Sequence, residues 1–125
     1  MRNLQKKTNI FAAKNNVQMI ILFDKEYLEY LYYDGKCNDK NYRFQPHIVK
    51  GYVKCVKILE KARIIEDLFP YHGLNYEILK GENKGLSSIR INNQYRLVFE
   101  VTVDKETNEK IVNICKLIDI TNHYK

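Results

Sequence analysis

The chain has three cysteines, three histidines, no tryptophan, and no apolar run longer than the five residues Met19 to Phe23. A bilayer-spanning helix takes roughly 20 apolar residues, so that run does not supply one. The basic N-terminus also lacks the apolar centre of a secretory signal, because Lys14, Asn15 and Asn16 interrupt its one candidate stretch. Cys37, Cys55 and Cys115 are odd in number and form no Cys-x-x-Cys pair. A disulfide scaffold or zinc finger is disfavoured, and a reducing cytoplasmic setting is the simplest. His47, His72 and His123 have no ligand-like spacing, so neither a metal site nor a cofactor is expected. The glycine loops of nucleotide-binding proteins and the His-Glu-x-x-His pair of zinc proteases are absent too.

What remains is a chain of 125 residues, 45% hydrophobic, the size and composition of one folded domain. Its charge of +6 invites a nucleic-acid reading. That surplus is uneven. Arg2, Lys6, Lys7 and Lys14 carry four of the six charges in residues 1–18, which hold no acid. The other 107 residues carry seventeen bases and fifteen acids. Residues 1–18 show no periodicity and read as a flexible basic extension. Met19 opens the first strand-like segment, so an upstream start codon explains the extension, and an arm gripping nucleic acid is the alternative. Residues 19–125 form the expected domain.

Helical patterns come first in that domain. Asp24 is a plausible N-cap for a short helix through Tyr33, with Gly35 as terminator and Leu28, Leu31 and Tyr32 on one face. Pro46 suits the first turn of a longer helix to about Ala62, with Val49, Tyr52, Val53, Val56 and Leu59 facing a core. Lys50, Lys54, Lys57 and Lys61 form a cationic stripe beside that face, either a solvated surface or a phosphate-facing flank. Residues 64–75 read as a short helical turn broken by Pro70 and Gly73. Strand patterns follow at Tyr76–Lys80, Leu86–Asn92, Tyr95–Val103 and Lys110–Ile120, with turns at 81–85 and 104–110. The expected class is α+β: a small antiparallel sheet with two to three N-terminal helices on one face.

The hairpin of the middle strands carries a specific expectation. Ile89, Ile91, Tyr95, Leu97, Phe99, Val101 and Val103 occupy odd positions, so a one-sided core places them on the same face. A three-residue connection, Asn92-Asn93-Gln94, then sets Ile91 opposite Tyr95 and Arg90 opposite Arg96, away from the core. Opposed cations repel. An anion site gives them a reason, since guanidinium forks match phosphate oxygens. His123 and Tyr124, beyond the last strand, are suitable for proton transfer at a phosphodiester; His123 reads equally well as an exposed tail residue.

The segment LKGENKGLSSIRINNQYRLVF, Leu79 to Phe99, resembles the signature of HigB-like toxins in the RelE/ParE superfamily. Lys80, Gly81, Gly85, Ser88, Arg90, Asn92, Gln94 and Arg96 match, and the likeness runs from Met19 to the C-terminus. Leu86 and Tyr95 stand where the family often has Trp, Glu77 falls near a position that is His in some members, and the ending Thr121-Asn122-His123-Tyr124 departs from Asp-Tyr-His.

The resemblance implies a RelE-like fold and a toxin that cleaves mRNA on the ribosome without a metal. It also implies a HigA-like helix-turn-helix antitoxin as partner. Under it, His123 is the candidate base or acid and Arg90 and Arg96 stabilise the phosphorane. Lys80 and Lys84 hold the RNA backbone, joined by Lys54 and Lys57. Tyr124 stacks on a base or donates a proton, while Tyr95 is structural. The modest charge of residues 19–125 fits a nuclease that needs the ribosome to present its RNA. Two rivals share the fold: a ParE-like inhibitor of gyrase without enzymatic activity, and an inactive toxin kept as an antitoxin-binding co-repressor.

Overall fold

A computed structural model describes residues 18–105 and 111–122 of the chain. Most of residues 1–18 therefore lies outside the described residues, as do His123 and Tyr124 and residues 106–110 of the last turn. Strand β1 (Ile20–Phe23) leads into helices α1 (Glu26–Asp34) and α2 (Pro46–Lys61), followed by strands β2 (Glu77–Ile78), β3 (Ser87–Arg90), β4 (Tyr95–Lys105) and β5 (Ile111–Asn122). The α+β order is the expected one. The five strands lie in the order β1-β5-β4-β3-β2.

The sheet is antiparallel from β2 to β5, but β1 runs parallel to β5, with Ile20 beside Ile114 and Phe23 beside Leu117. This makes the sheet mixed rather than wholly antiparallel. The hydrophobic pattern of Met19 to Phe23 identifies a buried strand but carries no direction. The two helices between β1 and the rest of the sheet make the crossover that parallel strands require.

Helix α1 starts one residue later than expected, with Lys25 rather than Asp24 at its N-cap. The Asp24 N–H donates to the Leu117 carbonyl at 2.9 Å, extending the pairing of β1, so the backbone turns helical only afterwards. Gly35 ends the helix at φ 77°, a left-handed conformation that favours glycine, and its N–H caps the Leu31 carbonyl. Helix α2 begins at Pro46 as expected, where the missing N–H of proline costs nothing. Its face of Val49, Tyr52, Val56 and Leu59 is buried. Tyr52 ties the helices together by donating its hydroxyl to the Leu28 carbonyl at 2.7 Å.

Both helices cover one face of the sheet, against Ile89, Leu97, Phe99, Cys115, Leu117 and Ile120. Each large side chain fully buried there contributes about 1.5–3 kcal/mol. Cys55 and Cys115 belong to this core as unpaired thiols. Burial pushes the Cys55 thiol up to about 12 and that of Cys115 well above the usual thiol range. On the opposite face Ile20 and Val112 form a small second cluster with Leu22 and Ile114. The 64–75 segment folds as two short 3-10 turns, Ile65–Leu68 and His72–Leu74, on either side of Pro70. Tyr95 packs against the core and meets Phe44 edge-on at 5.6 Å, a structural position as expected.

Candidate active site

The β3–β4 hairpin has the register predicted from its odd-numbered apolar positions. Ile89 pairs with Leu97 and Arg90 with Arg96, while the Ile91 N–H donates to the Tyr95 carbonyl at 2.9 Å. Asn92 closes the turn: its side-chain oxygen accepts from the backbone N–H groups of Gln94 and Tyr95, at 2.8 and 2.7 Å. Because Ile89 and Leu97 face the helices, Arg90 and Arg96 lie on the other face. Across β4, Thr121 of β5 pairs with Arg96 and Asn122 with Tyr95. The strand from which His123 continues therefore ends beside the arginine pair.

The two guanidinium groups are held differently. Arg90 is half-buried and folds back on its own turn, donating from Nε to the Asn92 carbonyl at 3.2 Å and from Nη2 to the Asn93 side chain. Arg96, expected as an open fork beside it, is only 1% exposed. The side chain crosses β3, where Nε donates to the Ser88 hydroxyl at 2.8 Å and Nη2 to the carbonyls of Ser88 and Asn75. Glu77 brings a carboxylate oxygen to 3.9 Å from Nη2. These neighbours supply the acceptors that a buried cation needs and offset the repulsion from Arg90. Nη1 alone is buried without a hydrogen-bond partner. A buried donor left unpaired at such a cost is a position where an acceptor oxygen would be stabilised.

Ser88, Asn75 and Glu77 were not identified as site residues from the sequence. Ser88 had a readable signal, since it shares the face of Arg90 and Arg96 in the same register. Asn75 did not: its carbonyl reaches Arg96 because the residue turns left-handed, at φ 45°, after the second 3-10 turn.

The lysines fall in two places. Lys80 and Lys84 flank the 3-10 turn Gly81–Asn83 at the far end of β3, and both are exposed. Gly81 and Gly85 adopt φ of 69° and 94° there, which sets the tight path of the loop. Lys50, Lys54, Lys57 and Lys61 are all exposed along α2. That helix lies across the sheet from the guanidinium groups. The thiol of Cys55 donates to the Arg90 carbonyl at 3.4 Å, and no described contact joins Lys54 or Lys57 to the arginine side chains. A further cavity of about 670 Å³ lies between α1 and the following loop, where Tyr42 stacks on Tyr27 at 3.9 Å. It lies on the helical side, away from the arginines.

Residues 21–115 match the family model of HigB-like toxins, described as the RelE-like toxin of the type II toxin–antitoxin system HigB. The class is therefore that of RelE-like toxins. The chain belongs to the HigB-like toxin family, and acts as the toxin of a type II toxin–antitoxin system. It is 36% identical to the toxin HigB-1 of Vibrio cholerae serotype O1 over 83 residues, 66% of this chain and 83% of that one. Among solved structures, a chain of the YoeB–YefM complex from Staphylococcus aureus is similar at a TM-score of 0.47 and 25% identity, covering 86% of this chain and 99% of that chain. A YoeB/ParE toxin from Agrobacterium tumefaciens is similar at 0.46 and 15% identity, covering 83% and 98%. Among the described residues no helix is long and apolar enough to cross a membrane.

Proposed function

We propose that this toxin is a metal-independent endoribonuclease that cleaves mRNA on the ribosome, in the cytoplasm, and is neutralised by a HigA-like helix-turn-helix antitoxin. The observation that supports the reading is the placement of Arg90 opposite Arg96 at the end of the hairpin, beside the last residues of β5. Cleavage by the neighbouring 2′-hydroxyl requires a base to take its proton. The 2′-oxygen then attacks phosphorus, the bond to the 5′-oxygen breaks, and an acid protonates the departing oxygen. The phosphorane formed between these steps carries extra negative charge.

Arg90 is the accessible cation for that charge and would leave its bonds to the turn for a phosphate oxygen. Arg96 contributes a fixed positive charge behind it, in surroundings of low dielectric where a charge acts over a longer distance. The unpaired Nη1 is its remaining donor. His123 serves as base or acid, because an imidazole changes charge near neutral pH. Tyr124 supplies a proton or a stacking surface for a base. Lys80 and Lys84 hold the RNA backbone from their turn. Lys54 and Lys57, across the sheet, bind RNA away from the scissile phosphate.

The test is to induce the toxin without its antitoxin and map the 5′ ends of cellular mRNA. New ends within translated codons support the proposal. DNA breaks and an SOS response with intact mRNA would favour gyrase inhibition. Unimpeded growth would favour the co-repressor reading.

A further inference from the structure

Residues 64–79 form the longest stretch of the chain without Lys or Arg, and they carry Glu66, Asp67 and Glu77. This acidic stretch, within a protein of net charge +6, also holds four of the six large hydrophobic side chains exposed among the described residues. Ile64 is 46% exposed, Phe69 53%, Tyr71 50% and Ile78 68%. Phe69 lies 6.0 Å from Tyr76, which leads directly into β2. Between the flanking Arg63 and Lys80 the stretch offers a phosphate backbone no Lys or Arg of its own and carries three carboxylates, of which Asp67 accepts from the Arg63 and Ile64 N–H groups and Glu77 lies beside Arg96. The complementary occupant is a protein segment that is apolar and basic.

The backbone adds a direction. The Leu79 N–H donates to the Leu86 carbonyl at 2.9 Å, which sets Leu79 at a hydrogen-bonding position of the antiparallel ladder, although the Leu86 N–H turns to the Asn83 carbonyl at 3.0 Å. Such pairs alternate. Glu77 and Ser88 are therefore the next bonded pair, and Ile78 and Ser87 lie between as a non-bonded pair. The N–H and carbonyl of Ile78 consequently point outward, at the open edge of the sheet. Among the described residues no strand pairs with this edge, and an edge with exposed apolar side chains is a template for another strand.

The geometry points to this edge as the docking site of the antitoxin: an extended segment of it, with alternating apolar side chains and flanking Lys or Arg, pairs with β2 at Ile78 and packs on Phe69 and Tyr71. This rests on membership in a toxin–antitoxin family and not on the nuclease reading. Such a strand would lie next to Glu77 and Asn75, both of which contact Arg96. Docking at the edge is thereby coupled to the arginine face without covering it.

The probe is the purified full-length cognate antitoxin, titrated into the intact toxin by calorimetry. Ile78→Pro removes the outward N–H and leaves the bonds to β3 in place; it weakens antitoxin binding about tenfold or more. Phe69→Lys, which places a cation against a basic segment, weakens it to a similar degree. Both variants keep the growth arrest seen without antitoxin. Hydrogen exchange on the wild-type complex decides the matter even if Ile78→Pro misfolds: the Ile78 amide exchanges freely in the toxin alone and becomes protected in the complex. An unprotected Ile78 amide, or wild-type affinity in folded forms of both variants, overturns the assignment. So does a toxin dimer that Ile78→Pro dissociates while antitoxin affinity stays unchanged.

Discussion

The guanidinium of Arg96 crosses β3 to donate to the carbonyl of Asn75, twenty-one residues earlier in the chain. One side chain thus joins β4 to the turn that precedes the edge strand, and does so as a buried charge. Arg96→Met leaves the Asn75 carbonyl and the buried Ser88 hydroxyl without the donor Arg96 supplies and should destabilise the fold by about 1–3 kcal/mol. Arg96→Lys keeps the charge but has no fork to reach Ser88 and Asn75 together, and falls between Met and wild type. Urea unfolding of the three proteins checks this order.

Arg90 differs in kind. Its bonds go to its own turn, on a half-buried side chain, so Arg90→Ala should unfold within about 1 kcal/mol of wild type. Under the nuclease proposal the same variant loses about a hundredfold in cleavage rate, as loss of a transition-state charge stabiliser does. His123→Ala should abolish cleavage and growth arrest while the protein stays folded. Single-turnover cleavage on programmed ribosomes, with circular dichroism on the same samples, measures both. Unchanged cleavage by Arg90→Ala would leave that residue a turn-forming role only.

Gly51 places α2 hard against the hairpin turn. A Cβ there would lie 2.9 Å from the Ile91 side chain and 3.2 Å from its carbonyl oxygen. Gly51→Ala gains helix propensity of about 1 kcal/mol but overpacks at a cost of about 1–3 kcal/mol. A net loss of stability is expected. Adding Ile91→Ala relieves the side-chain clash but not the backbone one, so the double variant recovers only part of the loss attributable to the clash. A double-mutant cycle by thermal unfolding tests it.

Alkaline pH should destabilise the protein from about pH 9 upward. Burial pushes the Cys55 thiol up to about 12 from its ordinary 9.0, and it raises Cys115 as well. Burial also lifts the phenol of Tyr27, followed by its hydrogen bond to Asp119, and burial lifts that of Tyr52. Each group stays protonated when folded and ionises first in the unfolded chain. Their contribution is complete below the unfolded values and is lost as pH rises toward the folded ones. Cys55→Ala should flatten the decline between pH 9 and 12 by one proton's worth, about 1.4 kcal/mol per pH unit. Denaturant midpoints at successive pH values measure the slope.

Local patterns made some features readable and left others hidden. Parity of apolar positions was enough to pair Arg90 with Arg96, because a one-residue slip would have turned Ile89 and Leu97 out of the core. Pro46 and Gly35 marked helix boundaries through backbone restrictions that act within a few residues. The burial of Arg96 was not readable: it depends on Asn75, Glu77 and Ser88, which come together only when β2 joins the sheet. The direction of β1 was hidden for the same reason. So was the irregularity in β5, where Val98 pairs with Asp119 but Phe99 with Leu117, because the extra residue leaves no signature in hydrophobic alternation.

The position of β5 has a consequence for synthesis. The last strand made lies between β1 and β4, and brings Cys115, Leu117 and Ile120 into the core. Ile20 finds its neighbour Ile114 only after 94 further residues have been added. A nascent chain lacking β5 has neither an anchor for β1 nor a second neighbour for β4. The flank of the arginine face that Thr121 supplies beside Arg96 is therefore completed only when β5 adds between β1 and β4.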